Sequence, residues 1–195
     1  MDHKTFFNNL AADWDNMPQP DRNKLAHIAA RLQLQPGQAV LDVGTGTGVL
    51  LPFLREGIGP AGTLVAIDLA DKMIARAGEK FAGLACLQTA DVAALPFADG
   101  SFDRVICYSA FPHFPDKEMA LREMGRVLKP AGAIFIAHSE GRERINHFHH
   151  SLKSFVSQDH LPTDETMRRL AAATGCTADF VENSQAYYIL QLRKA

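Results

Sequence analysis

Val40-Leu41-Asp42-Val43-Gly44-Thr45-Gly46-Thr47-Gly48-Val49-Leu50-Leu51-Pro52-Phe53-Leu54 is the stretch that decides the fold. A short apolar run enters three glycines at alternate positions, and the chain leaves them on a helical apolar spacing. That order predicts a buried strand, a tight turn and the opening of a helix. Gly44, Gly46 and Gly48 permit positive φ and bring the backbone close to a ligand. The helix start behind them is expected to offer free N–H donors and a positive dipole end, which suit an anionic group. In an open α/β sheet a nucleotide-like ligand belongs at the carboxyl end of the first strand.

Working outward, Thr63-Leu64-Val65-Ala66-Ile67 reads as a second buried strand ending at Asp68. An acidic residue there, about 20 residues past the glycines, is placed to accept hydrogen bonds from ribose hydroxyls. Asp71 is the better-placed N-cap for a helix over 71–81, which leaves Asp68 free. Further strands are expected near 84–88, over 101–108 behind the Asp99-Gly100 turn, and over 133–137 behind a helix at 116–128. Two more helices (142–156, 163–174) and two strands (near 177–183 and 186–193) follow, the last strand pairing antiparallel. Upstream, Phe6, Phe7, Leu10 and Trp14 predict a helix over 3–16, which Pro18 and Pro20 end. A second helix spans 21–33, with Asp21 as its N-cap.

At 195 residues one domain is expected, long enough to bury a real core. A formal net charge of −2 offers no broad basic field for nucleic acid or an anionic membrane. No apolar run approaches the ~18 residues of a membrane span, and Met1-Asp2-His3-Lys4 leads into an amphipathic segment where a leader would be apolar. Cys86, Cys107 and Cys176 are odd in number and lack metal spacing, as in a reducing cytoplasm. Cys86 and Cys107, within apolar strand-like runs, are expected to be buried.

Asp42-Val43 followed by Gly-x-Gly-x-Gly resembles the S-adenosylmethionine motif of class I methyltransferases, and the runs Leu95-Pro96-Phe97, Asp99-Gly100-Ser101-Phe102-Asp103 and Leu128-Lys129-Pro130-Ala131-Gly132 resemble further signatures of that family. Phe7, Asn8, Ala11, Trp14 and Asp15 are spaced as in the N-terminal lid of ubiquinone- and menaquinone-type members. The resemblance implies a Rossmann-like seven-stranded sheet, mainly parallel, with one antiparallel C-terminal strand and helices on both faces. It implies a single domain: a helical lid over 1–35, a cofactor-binding core over 36–140, and acceptor-side helices with the last two strands over 141–195. The implied cofactor is S-adenosylmethionine, held by Asp42, Gly44, Thr45, Gly46, Gly48, Asp68 and Tyr108. Leu69 and Met73 would pack it, with Asp91 at the adenine amino group and Val92 at the ring. Asp91 as a loop-capping residue is the other reading of that position.

Methyl transfer is an in-line displacement in which proximity and orientation supply much of the rate. Acceptor-side groups are therefore expected after the fourth and fifth strands, at Ser109, His113 and His138, with Trp14, Arg142 and His147 lining the acceptor. His113 and His138 are the candidate bases, each with an alternative reading as a packing or strand-end residue. His138, His147, His149 and His150 make up half of the chain's 8 histidines, and imidazole is the commonest metal ligand. On a helix from 142, Ile145, Phe148, Leu152 and Phe155 form an apolar stripe and His147 and His150 share the opposite face. Two readings stand: a histidine-rich solvated face, or a divalent metal held by His138, His147 and His150. Arg142, Arg144 and Lys153 leave an anionic acceptor open. The expected activity is methylation of a small molecule; a non-catalytic cofactor-binding module and a metal-assisted methyltransferase are the alternatives.

Overall fold

The computed structural model describes residues 1–194. Seven strands form one sheet in the order β3-β2-β1-β4-β5-β7-β6. They are β1 (Ala39–Val43), β2 (Thr63–Asp68), β3 (Cys86–Thr89), β4 (Phe102–Tyr108), β5 (Leu128–His138), β6 (Cys176–Asn183) and β7 (Tyr188–Lys194). Strands β1 to β5 pair in parallel, while β7 runs antiparallel between β5 and β6. Strand order reverses between β1 and β4, and the crevice outside their carboxyl ends is where such sheets take ligands.

Alternation along the strands gives each face of the sheet its own core. Leu41, Val105, Cys107, Ile134 and Ile136 point to one face and pack with α5 (Lys117–Val127) and α7 (Asp164–Ala173). Val40, Ile106, Phe135 and Ile189 point to the other and pack with α2 (Arg22–Arg31) and α3 (Leu51–Ile58). Parallel strands covered on both sides read as continuous apolar runs, as Val40-Leu41 and Val105-Ile106-Cys107 do. No helix among the described residues is long and apolar enough to cross a membrane.

Three local expectations are corrected. The helix at 3–16 is two elements: α1 (His3–Leu10), capped by Asp2 Oδ1 accepting from the Thr5 amide at 2.7 Å, and a short 3-10 turn over Trp14–Asn16. The break turns Asp15 onto Thr47 Oγ1 and Lys80 Nζ, both at 2.7 Å, so the segment is fastened to the glycine loop. The helix at 142–156 ends early: α6 spans Arg142–Ser151, Leu152 is extended, and Phe155–Gln158 form a separate 3-10 turn. Phe148 is 57% exposed and His149 is the buried residue, because its Nδ1 bonds the carbonyl of Asp159 at 2.9 Å. Cys86 opens edge strand β3 and is exposed, whereas Cys107 on central β4 is buried.

Tyr188 begins β7 fully buried between Phe180 and His138, with no hydrogen-bond partner for its hydroxyl among the described residues. A buried unmatched hydroxyl costs free energy, and Phe has the same ring. We expect Tyr188→Phe to leave stability unchanged or raise it by about 1 kcal/mol in urea denaturation; a loss of that size would reveal a partner for the hydroxyl.

Candidate functional site

The glycine loop leaves β1 directly at the switch point. Gly44 has φ +70° and Gly46 has φ +54°, in the left-handed region that glycine occupies without penalty. A Cβ on Gly44 would lie 2.4 Å from the Ala110 Cβ, so this glycine lets the loop after β4 close on the loop after β1. A Cβ on Gly46 meets nothing within 4 Å and faces open space.

Four amides of the glycine loop are already engaged. The amides of Gly44 and Thr45 both donate to the Ile67 carbonyl at 2.9 Å, and Gly48 donates to Thr45 O at 2.9 Å. The Gly46 amide donates to Asp68 Oδ2 at 2.8 Å. Helix α3 starts only at Leu51, with Pro52 in its first turn. Strand β2 and its terminal carboxylate thus take the amides of Gly44, Thr45 and Gly46.

Asp42 is 1% exposed, and its Oδ2 accepts from Thr45 Oγ1 at 2.7 Å while Oδ1 has no partner. Burial pushes its carboxyl up to about 7; the Thr45 hydroxyl opposes the shift and the Asp68 charge adds to it. Asp68 accepts from the Gly46 amide with Oδ2 and from the Ala70 amide with Oδ1. Burial raises its pKa against those two bonds. An ionised carboxylate has about four lone-pair sites, so Asp68 keeps capacity for a ligand. The helix α4 (Asp71–Phe81) is not capped by the Asp71 side chain, which instead accepts from Asn8 of α1. Asp91 does cap: its Oδ1 accepts from the Ala93 amide at 2.8 Å, starting the short 3-10 turn at Val92–Ala94.

These groups surround a cavity outside the strand ends. Gly44, Gly46, Asp68, Leu69, Met73, Asp91 and Val92 all line it, as seven of the eleven expected cofactor residues do. Phe7 and Trp14 of the N-terminal segment cover it, packed on Ala70 and Met73. Asp42 and Gly48 lie behind the lining. Thr45 and Tyr108 line instead a second hollow, with Trp14, His113, His138 and His149. The Tyr108 hydroxyl donates to Ser139 Oγ at 3.0 Å, and burial raises its pKa. Trp14, Ser109 and His113 line both spaces. Ser109 does so with φ +54°, an uncommon backbone state for a side-chain-bearing residue and one that clusters at functional sites.

The histidines are sorted differently from their sequence spacing. His138 is 3% exposed with Nε2 unpartnered, and burial pushes its pKa down to about 3, with charge on His113 and His149 adding to the shift. A group that weakly basic is a poor general base at neutral pH; it is a neutral imidazole. His147 and His150 are exposed on α6 and do not join it, because the buried residue of that turn is His149. The cluster that does form, among the described residues, is His3, His113 and Asp159. His113 Nδ1 and His3 Nε2 approach Asp159 Oδ2 at 2.7 and 3.0 Å. Burial pushes the Asp159 carboxyl upward, but the bonds from both imidazoles outweigh it and hold the pKa below the ordinary value. Neither His3 nor Asp159 was marked by spacing. Of the expected basic patch, Arg142 pairs with Asp164, and Arg144 pairs at 3.1 Å with Glu140, which Lys24 shares at 2.8 Å.

A family model described as a methyltransferase domain matches residues 41–136. A demethylmenaquinone methyltransferase of Staphylococcus epidermidis is 33% identical over 137 residues, covering 67% of this chain and 57% of the relative. The chain thus spans little more than half the length of the curated relatives it matches. Among solved structures, a chain from a complex of the Haloferax volcanii Trm112 methyltransferase activator with a methyltransferase superposes at TM-score 0.81 and 21% identity, covering 99% of this chain and 98% of that one. A SAM-dependent methyltransferase of Aquifex aeolicus superposes at TM-score 0.75 and 23% identity, over 93% and 97% of the two chains.

Proposed function

Because the chain belongs to the class I S-adenosylmethionine-dependent methyltransferases, we propose that it moves the methyl group of S-adenosylmethionine onto a small-molecule acceptor. One observation carries the reading: the cavity lined by Asp68, Leu69, Met73 and Asp91 adjoins a second hollow lined by Tyr108, His138 and His149, and the two share Trp14, Gly44, Gly46, Ser109 and His113. An in-line displacement needs donor and acceptor on either side of such a boundary, and holding them there supplies much of the rate. Asp68 accepts from the ribose hydroxyls, Leu69, Met73 and Val92 pack the adenosine, and Asp91 uses its second oxygen for the adenine amine. Asp42, Thr45 and Gly48 shape the loop from behind and beside the cofactor. His113 faces the acceptor with Nε2, its Nδ1 being held by Asp159, and His138 offers a neutral imidazole to the same hollow.

In this reading the chain is one catalytic unit, with a lid over 1–35, a cofactor core over 36–140 and an acceptor side over 141–195. Three free thiols fit a reducing cytoplasm, and the near-neutral charge favours a small molecule over nucleic acid as acceptor.

Calorimetric titration with S-adenosylhomocysteine tests the reading. The wild-type chain is expected to bind one equivalent. Asp68→Ala is expected to bind at least about tenfold more weakly, the scale of a lost hydrogen bond to a charged group. Failure of the wild type to bind overturns the function. Equal affinity in the variant overturns the ribose role of Asp68.

A further inference from the structure

His3, His113 and Asp159 come from three separate places: the first residue of α1, the loop after β4, and the segment after α6. One donor atom of each lies within 4.8 Å of the other two. A single carboxylate oxygen, Asp159 Oδ2, faces both imidazole nitrogens at 2.7 and 3.0 Å. Donor atoms around tetrahedral zinc, at bonds of about 2.0–2.1 Å, stand roughly 3.3 Å apart. An opening of a few tenths of an ångström therefore admits an ion where protons are now shared.

The surroundings suit an ion held by protein. The three side chains are 17%, 15% and 16% exposed. Phe155 stands edge-on to His3 at 4.8 Å and Phe7 edge-on to His113 at 5.0 Å, which limits water around the donors. The His149 ring nitrogen anchors the Asp159 carbonyl at 2.9 Å and so orients the carboxylate's residue. Two imidazoles and a carboxylate match a divalent first-row transition metal, with zinc foremost.

We propose that His3, His113 and Asp159 form a transition-metal site that clasps α1 to the loop after β4, closing the N-terminal segment over the cavity. The site is distinct from His138, His147 and His150. It leaves His113 Nε2 for the acceptor in either state. Because α1 has no fully buried residue, a bond at His3 is a strong constraint on its position. The inference does not depend on methyl transfer, since its test is read with no cofactor present.

The test uses the tag-free chain, stripped with chelator and titrated with zinc chloride in a calorimeter, with cobalt(II) absorption as a report of four-coordination. One zinc per chain is expected. His3→Ala and Asp159→Asn are each expected to weaken binding by at least about tenfold, while the His147→Ala, His150→Ala double variant binds as wild type. Circular dichroism checks folding; if Asp159→Asn does not fold, His3→Ala at the chain's start carries the result. Zinc is also expected to slow amide exchange across residues 3–10. Absence of saturable binding, or binding that His3→Ala leaves unchanged, overturns the site. Binding without protection of residues 3–10 overturns the clasp.

Discussion

Gly44→Ala is expected to lose about 2–5 kcal/mol of stability in urea denaturation and most of the affinity for S-adenosylhomocysteine. Two costs add. The left-handed backbone at φ +70° penalises any Cβ. The new Cβ would also lie 2.4 Å from Ala110 Cβ, a contact that neither loop relieves without moving. Ala110 sits three residues before His113, and the Ala110 carbonyl accepts from the His113 amide at 3.0 Å. A displaced Ala110 therefore carries the shared wall of both cavities with it. Gly46→Ala is the control: its φ of +54° brings the backbone cost alone, because no atom lies within 4 Å of the added methyl. It is expected to fold with a loss of roughly 1–2 kcal/mol while still weakening the ligand, since that methyl points into ligand space. Equal stability of the two variants would show that the approach of Gly44 to Ala110 is not what builds the site.

Asp42→Asn is expected to flatten the dependence of stability on pH. The folded carboxyl, pushed up to about 7 by burial, binds its proton more tightly than the unfolded one at 3.8. Between those values the native state holds the extra proton, so stability falls as pH rises from about 4 and levels off above about 7. For one such group the difference between pH 5 and pH 8 is about 2–3 kcal/mol. Asparagine keeps the shape and the acceptor for Thr45 Oγ1 but does not titrate. Asp68, raised in the same direction, and His138, lowered by burial, remain in both proteins. The wild-type stability advantage at pH 5 over pH 8, minus that of the variant, reports Asp42 chiefly. Parallel curves for the two proteins would mean that Asp42 is ionised in the fold.

The legible part of this protein is the part written in short range. Val40, Leu41 and Val43 are apolar because β1 is covered on both faces, and the glycines behind it mark a turn that no other residue makes so readily. Asp68 and Asp91 stand at strand ends, and parallel strands bring their carboxyl ends to one edge of the sheet. Their convergence on one cavity follows from sequence order and strand direction alone. Two of the loop amides are taken by the Ile67 carbonyl, an acceptor on the neighbouring strand that local sequence does not reveal.

The histidines show the opposite case. Helical spacing grouped His147 with His150, whereas the structure joins His3 to Asp159 across 156 positions and His113 to Asp159 across 46. Such pairs depend on how loops close after the sheet has formed, and no local periodicity records them. Burial of His138 is likewise decided by β7, whose Tyr188 stands opposite it in the ladder. The sequence by itself determined the sheet, its two covered faces, the family and the acidic edge of the cavity, because these rest on alternation, turn chemistry and strand polarity. Only the tertiary structure decided which imidazoles are buried and which imidazoles and arginines are paired, because those states belong to contacts between segments far apart in the chain.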